Sequence, residues 1–275
     1  MPNFIVGARL HDYGKGTPDE LFGQVSADGF AAVQLAYKKC VPSVKSYADV
    51  TDALVAETVA AEKAHHIQVA VLGTYVELAI NDESRLCNVA DFKSQLSVCK
   101  ALGAGCIGTE TTAMSKQPAG TTRAQAQELL CRSLAEILPA AEALGVTVGI
   151  EPVTYHSMNS AAATRHILDT MRSPNLKVIF DMSNLVSAEN ADAQDRIWYD
   201  MGALLGDQIV AVHFKGQAFA PDGSLLHTSL EESRTDYAGA FAMLRQLPQD
   251  ALPVLREEAV PAHAASDIAF MKGFF

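Results

Sequence analysis

The chain lacks any uninterrupted apolar run of the roughly 18 residues that a membrane-spanning helix needs, so no span and no membrane partner are expected. Its opening, MPNFIVGARLHDY, has no basic region followed by an apolar stretch and a small-residue cleavage site. It does not read as a secretory signal, and a cytoplasmic location is expected. Positive charge is scarce: 21 Lys and Arg face 32 Asp and Glu, for a net charge of -11. A phosphate-backbone ligand needs a basic footprint, which argues against nucleic acid as a partner. Cysteine is limited to Cys40, Cys87, Cys99, Cys106 and Cys131, an odd number with no C-x-x-C pair. Neither a disulfide framework nor a zinc knuckle fits that pattern. Cys99, Cys106 and Cys131 sit in apolar surroundings and read as buried thiols. No G-x-G-x-x-G follows the first β-like run, where the sequence is RLHDYGKGTPDE, and this speaks against an open dinucleotide-binding sheet. No linker, low-complexity tract or charge block marks a boundary, so residues 1–275 are expected to form one domain.

What the chain does have is a regular alternation. With 49% hydrophobic and 19% charged residues, it holds material for a large core and too little charge for disorder. Eight β-rich apolar runs appear: Phe4–Leu10, Ala31–Tyr37, Gln68–Leu72, Gly105–Gly108, Thr147–Glu151, Lys177–Asp181, Ile209–Phe214 and Pro253–Glu257. Most are nearly continuous in Val, Ile and Ala, as expected of parallel strands covered on both faces. Helical patterns lie between them. Thr17-Pro18-Asp19-Glu20 opens the first with a cap residue, a Pro in the first turn and two acids near the dipole's positive end. A longer pattern starts near Thr121 and ends at Gly145; Pro139 inside it should kink or split the helix. Another covers Asn190–Gly206, where Trp198 is expected to pack on the helix. Strict alternation in units of roughly 34 residues predicts an α/β fold, a (β/α)8 barrel of eight parallel strands ringed by helices.

In such a barrel the active site forms at the C-terminal strand ends. The fifth to eighth predicted strands end in Glu151, Asp181, His213 and Glu257, at spacings of 30, 32 and 44 residues. That rhythm, about one βα unit each, places all four side chains around one rim. Three carboxylates converging there would repel one another unless a cation neutralised them. Three oxygen donors and one nitrogen suit a divalent metal such as Mn²⁺, Mg²⁺ or Co²⁺ better than a thiolate-type zinc site, with Mn²⁺ favoured. Glu257 and Glu258 are neighbours that should point to opposite faces of a strand, and either could be the ligand.

The runs GIEPV, NLKVIFD, IVAVHFKG and VLREE, with RLHDYG near the start and GTET after the fourth strand, resemble the xylose-isomerase-like TIM barrels. Within these they are most similar to the sugar phosphate isomerase/epimerase group. The resemblance implies a metal-dependent isomerase or epimerase of a small sugar or polyol-derived ketone, moving a proton beside a carbonyl through a metal-bound enediolate. In the ketose 3-epimerase branch, two strand-end glutamates bind the metal and exchange protons on opposite faces of the substrate. Carried over, these are Glu151 and Glu257, with Asp181 and His213 completing the coordination. A homo-oligomer is also implied. The chain departs from that branch at Asn184, Ser157 and Phe219, where the epimerases carry His, Glu and Arg. The H-x-K pair of His213 and Lys215 is closer to the group's dehydratases, so an inosose-type dehydratase on the same metal is the alternative. An abasic-site endonuclease and a non-catalytic sugar-binding protein are further readings.

Several residues near the rim are candidates for substrate binding. Lys215 shares a strand face with His213 and could stabilise an oxyanion, or it could be a surface lysine. His156 lies in the loop EPVTYHS, His11 follows the first strand beside Arg9, Glu110 sits in GTETT, and Asn184 stands beyond Asp181. Lys38 is a weaker candidate. His65, His66 and His166 fall on helical patterns away from the rim.

Overall fold

The structure, a computed structural model, describes residues 1–275. Strands β1 (Asn3–Arg9), β2 (Ala32–Leu35), β3 (Gln68–Gly73), β4 (Cys106–Glu110), β5 (Val148–Glu151), β6 (Leu176–Asp181) and β7 (Ile209–Phe214) are followed by a hairpin, β8 (Gly216–Phe219) and β9 (Leu225–Thr228), and then by β10 (Ala251–Arg256). The hairpin stands apart; the other eight strands close a barrel in the order β1-β10-β7-β6-β5-β4-β3-β2. Every barrel pairing is parallel. The helices are α1 (Pro18–Ala27), α2 (Tyr37–Cys40), α3 (Asp52–His65), α4 (Asp82–Leu102), α5 (Arg123–Leu144), α6 (Ala161–Met171), α7 (Gln194–Leu205), α8 (Tyr237–Leu244) and α9 (Ala264–Lys272). The eight expected strands are all present, with ends shifted by a few residues. No helix is long and apolar enough to cross a membrane.

Local chemistry explains the helix ends. Thr17 closes a capping box on α1: its hydroxyl accepts from the Glu20 N–H, while the Glu20 carboxylate accepts from the Thr17 N–H. Pro139 neither splits α5 nor ends it, contrary to the sequence expectation. Pro139 and Ala135, the residue four before it, both face outward, so the carbonyl that loses its N–H partner can turn to water. Buried Ile137, Leu138 and Ala141 hold the helix to the barrel on its other face. The pattern over Asn190–Gly206 is helical only from Gln194. Trp198 on α7 is buried edge-on against Phe180, as expected.

The barrel has two apolar layers. A cluster of 65 buried residues fills the space around the strands and under the helices. A second, small cluster contains Ala32, Val71, Cys106, Ile179, Ala211 and Leu255, and it plugs the barrel itself. Glycines make room for it: a Cβ on Gly108 would lie 2.5 Å from Ile179 Cδ1, and one on Gly149 would lie 2.9 Å from Ile179 Cγ1. Strand side chains alternate in and out, so the inward series that supplies the plug continues two residues on into polar groups. Ile179 is followed by Asp181, Ala211 by His213, Gly149 by Glu151, and Leu255 by Glu257. The fold thus sets a polar layer on an apolar floor, open only at the C-terminal strand ends.

Outward positions matter as well. Arg256, the last residue of β10, donates from Nε to Asp267 on α9 at 2.7 Å, and both are buried. Its Nη1 also donates to the Glu257 carbonyl, which fixes the backbone that carries Glu257. Asp267→Ala leaves a buried guanidinium unpaired and is expected to destabilise the fold by about 3–5 kcal/mol. Chemical denaturation checks this; a loss under about 1 kcal/mol would show that the pair is not an anchor.

Candidate metal centre

Four side chains from consecutive barrel strands meet at the rim. The ligand atoms of Glu151, Asp181 and His213 all lie within 4.8 Å of one another, and all three residues are buried. His213 Nδ1 is 3.1 Å from Glu151 Oε2 and 3.4 Å from Glu257 Oε1. Glu257 is not among the three whose ligand atoms all lie within that distance, although its Oε1 approaches His213. On β10 it is Leu255 that pairs with His213 of β7, so Glu257 sits one inward step higher, level with Lys215. Lys215 Nζ lies 3.5 Å from Glu257 Oε2 and 2.9 Å from Asp181 Oδ2. Arg9 approaches the other Glu257 oxygen at 3.8 Å.

Donor chemistry fits a divalent cation. His213 Nε2 is buried with no partner, while Asp181 Oδ2 and His213 Nδ1 are met only by the ion-pair contacts to Lys215, Glu151 and Glu257. Buried polar atoms of two neighbouring strands that lack a directed hydrogen bond are costly unless something binds them. The other oxygens are already oriented. Asn184 Nδ2 donates to Glu151 Oε1 at 2.6 Å, and the Asn184 N–H donates to Asp181 Oδ1 at 2.8 Å. One residue thereby holds one oxygen of each carboxylate and leaves the second facing His213 and Lys215, the arrangement by which outer partners orient metal ligands.

In the protein without a metal, three carboxylates face Lys215, Arg9 and the His213 ring. Burial opposes charge on His213, but Glu257 and Glu151 overcome it and push its pKa up to about 9. Burial raises the Asp181 pKa to about 6 although Lys215 acts against it. Burial also works against ionised Glu257, yet His213, Lys215 and Arg9 hold its pKa down at about 2. A metal must displace the His213 proton, because only the neutral ring can be a ligand. The apparent Kd is therefore expected to fall roughly tenfold per pH unit as pH rises toward about 9. Below about pH 6, where Asp181 also holds a proton, the dependence should steepen. Calorimetric metal titrations across this range check the slope, and a flat profile would remove His213 from the ligand set.

The remaining sequence candidates take different places. Lys215 is buried in the cluster and is no surface lysine. His156 is buried within the loop after β5, with Nε2 at 3.8 Å from Glu110 Oε2. Burial keeps His156 neutral, lowering its pKa to about 4, and burial with the Glu151 charge raises Glu110 to about 7. Both line one cleft of the rim. His11 sits in the turn after β1, edge-on to Tyr75 with ring centroids 5.7 Å apart. Glu258 leaves the centre: its backbone is left-handed (φ 57°) and its carboxylate meets His227 of the hairpin at 2.5 Å. Lys38 packs over Tyr47, away from the cluster. His65 pairs with Asp19, and His66 ends α3 in a left-handed conformation, both far from the rim.

Sequence reasoning missed Tyr75, Gln34 and the hairpin. Tyr75 and Gln34 line the bottom of the site beside Glu151, His213 and Glu257. The Gln34 amide donates to the Tyr75 hydroxyl at 2.8 Å, and Lys39 covers the Tyr75 ring at 3.3 Å. Gln34 could have been found from strand parity, since it follows the inward Ala32 by two residues. Tyr75 carries no such signal, because its left-handed backbone (φ 53°) breaks the alternation.

Residues 22–273 match the profile of the xylose isomerase-like TIM barrels. The chain belongs to that family. No curated protein matches it by sequence. Solved structures share its fold. A 3-keto-D-glucoside 4-epimerase from E. coli is 17% identical, with a TM-score of 0.73 over 98% of this chain and 100% of its own. A D-psicose 3-epimerase determined in the presence of D-fructose is 16% identical, with a TM-score of 0.72 over 98% and 97%. The IOLI protein with a bound zinc atom is 15% identical, with a TM-score of 0.76 over 98% and 96%. At these identities what the three share with this chain is the barrel fold.

Proposed function

We propose that the protein is a divalent-metal-dependent isomerase or epimerase of a small sugar or polyol-derived ketone. The observation that carries this reading is the pair Glu151 and Glu257, whose oxygens approach the same His213 nitrogen at 3.1 and 3.4 Å from different strands. Two carboxylates flanking one position can take a proton from carbon on one side and return it on the other. Glu151, Asp181 and His213 would hold the metal, with Glu257 joining them. The bound ion supplies positive charge that makes a proton beside a carbonyl more acidic. Mn²⁺ is the ion that this oxygen-rich set favours, with Mg²⁺ or Co²⁺ also compatible.

The chain's own groups have separable tasks. Glu257, held ionised by His213, Lys215 and Arg9, accepts a proton at Oε1 or Oε2. Glu151 keeps its aim through the Asn184 amide and serves the opposite face. Lys215 Nζ offers an ammonium to an oxygen that gains negative charge. Glu110, with a pKa near 7, both donates to and accepts from a sugar hydroxyl, and His156 beside it closes the cleft.

The activities of two structural neighbours, both sugar epimerases, and the zinc in a third support this reading over dehydration. The cluster contains one imidazole, short of the several histidines that a multi-zinc abasic-site nuclease needs. Incubating the manganese-loaded protein with ketoses, keto-glycosides and inososes in deuterated water tests the proposal. Deuterium at the carbon beside the carbonyl without loss of water is expected. An enone absorbance would favour the dehydratase, and no exchange on any member would overturn the reading.

A further inference from the structure

The rim opens into a second cleft that the chemistry above does not use. It lies between the loop after β5, the loop after β6 and the β8–β9 hairpin, and its volume is about 600 Å³. Clefts of similar size elsewhere sit between α7 and α8 or between α3 and α4, away from the strand ends. The hairpin cleft alone among them touches the metal centre, because Asn184 both lines it and donates to Glu151. Tyr155 joins it to the cleft that holds Glu110 and His156. That ring stacks edge-on against His156 at 4.7 Å yet stays 54% exposed.

The lining points to one class of occupant. Tyr155 and Phe219 offer aromatic surface, and Leu225 and Pro221 add apolar walls. Glu189 and Asp222 supply carboxylates, while no Lys or Arg lines the cleft, which disfavours phosphate or another anion. Aromatic faces with acceptor oxygens around them match a neutral ring that has C–H surfaces and hydroxyl edges. The hairpin that forms this wall is tightly built. A Cβ on Gly216 would lie 2.3 Å from the Ser229 carbonyl, so its two strands leave no slack at the base.

We infer that the sugar acted on carries a second ring, and that this ring lies in the hairpin cleft against Tyr155 and Phe219. The substrate class is then a glycosylated keto-sugar with its carbonyl free, rather than a single-ring ketose. This inference rests on the isomerase reading above. The chemistry is unchanged: one C–H bond breaks beside the carbonyl and one forms, with nothing oxidised or reduced.

Two measurements test it. Calorimetry on the manganese-loaded protein compares lactitol, an open-chain polyol carrying one galactose ring, with sorbitol, the same polyol without that ring; neither can react. Lactitol is expected to bind about tenfold more tightly, the worth of one modest apolar contact. The ratio should fall below about twofold in Tyr155→Ala, and also in Ala188→Trp, which fills the cleft from an exposed loop position. Deuterium exchange then compares lactulose with D-fructose, and the ratio of their kcat/KM values should move in parallel. Equal binding of the two polyols by the wild type would overturn the inference, as would a ratio that neither variant alters. If neither keto-sugar exchanges deuterium while lactitol keeps its preference, the isomerase reading fails and the ring-binding cleft stands.

Discussion

Glu151→Gln is expected to abolish proton exchange and weaken metal retention while leaving the fold intact. The substitution keeps the shape of the side chain and one carbonyl oxygen, so the Asn184 amide, 2.6 Å away, retains an acceptor. What it removes is the negative charge at the position where oxygens from two strands meet a buried imidazole. Loss of a positioned acid or base typically costs about 10²–10⁴ in rate, and loss of a charged ligand adds to that through lower metal occupancy. The expected result is a drop of at least about 10³ in deuterium exchange, with an unchanged far-ultraviolet circular dichroism spectrum. Exchange within about tenfold of wild type would show that Glu151 neither holds the cation nor moves the proton.

The second large effect concerns Lys215. Its ammonium is buried between Asp181 and Glu257, and those two carboxylates with Glu151 raise its pKa well above the usual value despite burial. In the metal-free protein it supplies part of the charge that a bound cation would otherwise supply. Lys215→Met keeps most of the side chain's length and deletes the charge. Breaking a buried pair by removing one partner costs about 3–5 kcal/mol, so the melting temperature of the metal-free variant should fall by roughly 10 °C. Added metal should recover much of that loss, because a ligand at about 100 times its Kd stabilises by about 2.7 kcal/mol. The metal-induced rise in melting temperature is expected to be larger in the variant than in the wild type. An equal rise in both would mean that the lysine and the cation do not share the same carboxylates.

These two cases also mark how far the amino-acid order alone reaches. The barrel was legible because β-rich runs and helical patterns alternate strictly, and because no glycine-rich nucleotide loop competes with that reading. Glu151, Asp181 and His213 were legible for a related reason: each ends an apolar strand, where a polar group needs a partner. Register was not legible: it sets Leu255 opposite His213, so Glu257 stands level with Lys215 rather than with the imidazole. The role of Lys215 was ambiguous in sequence, since parity places it on the inner face but says nothing of how far the rim extends above it. Pro139 shows the same gap from the other side. A helix-breaking residue was tolerated because it faces solvent, and its facing depends on tertiary packing. The hairpin after β7 was not legible, because its short strands, GQAF and LLHT, are too brief to stand out.

The central claim is a single cation shared by Glu151, Asp181 and His213, with Glu257 closing the set. Crystals grown with manganese and measured at its absorption edge test it most directly. One anomalous peak is expected about 2.0–2.3 Å from an oxygen of each carboxylate and from a ring nitrogen of His213. Lys215 Nζ should then have withdrawn from its 2.9 Å contact with Asp181. A map with no peak at the strand ends, and the ammonium still seated between the carboxylates, would contradict the account.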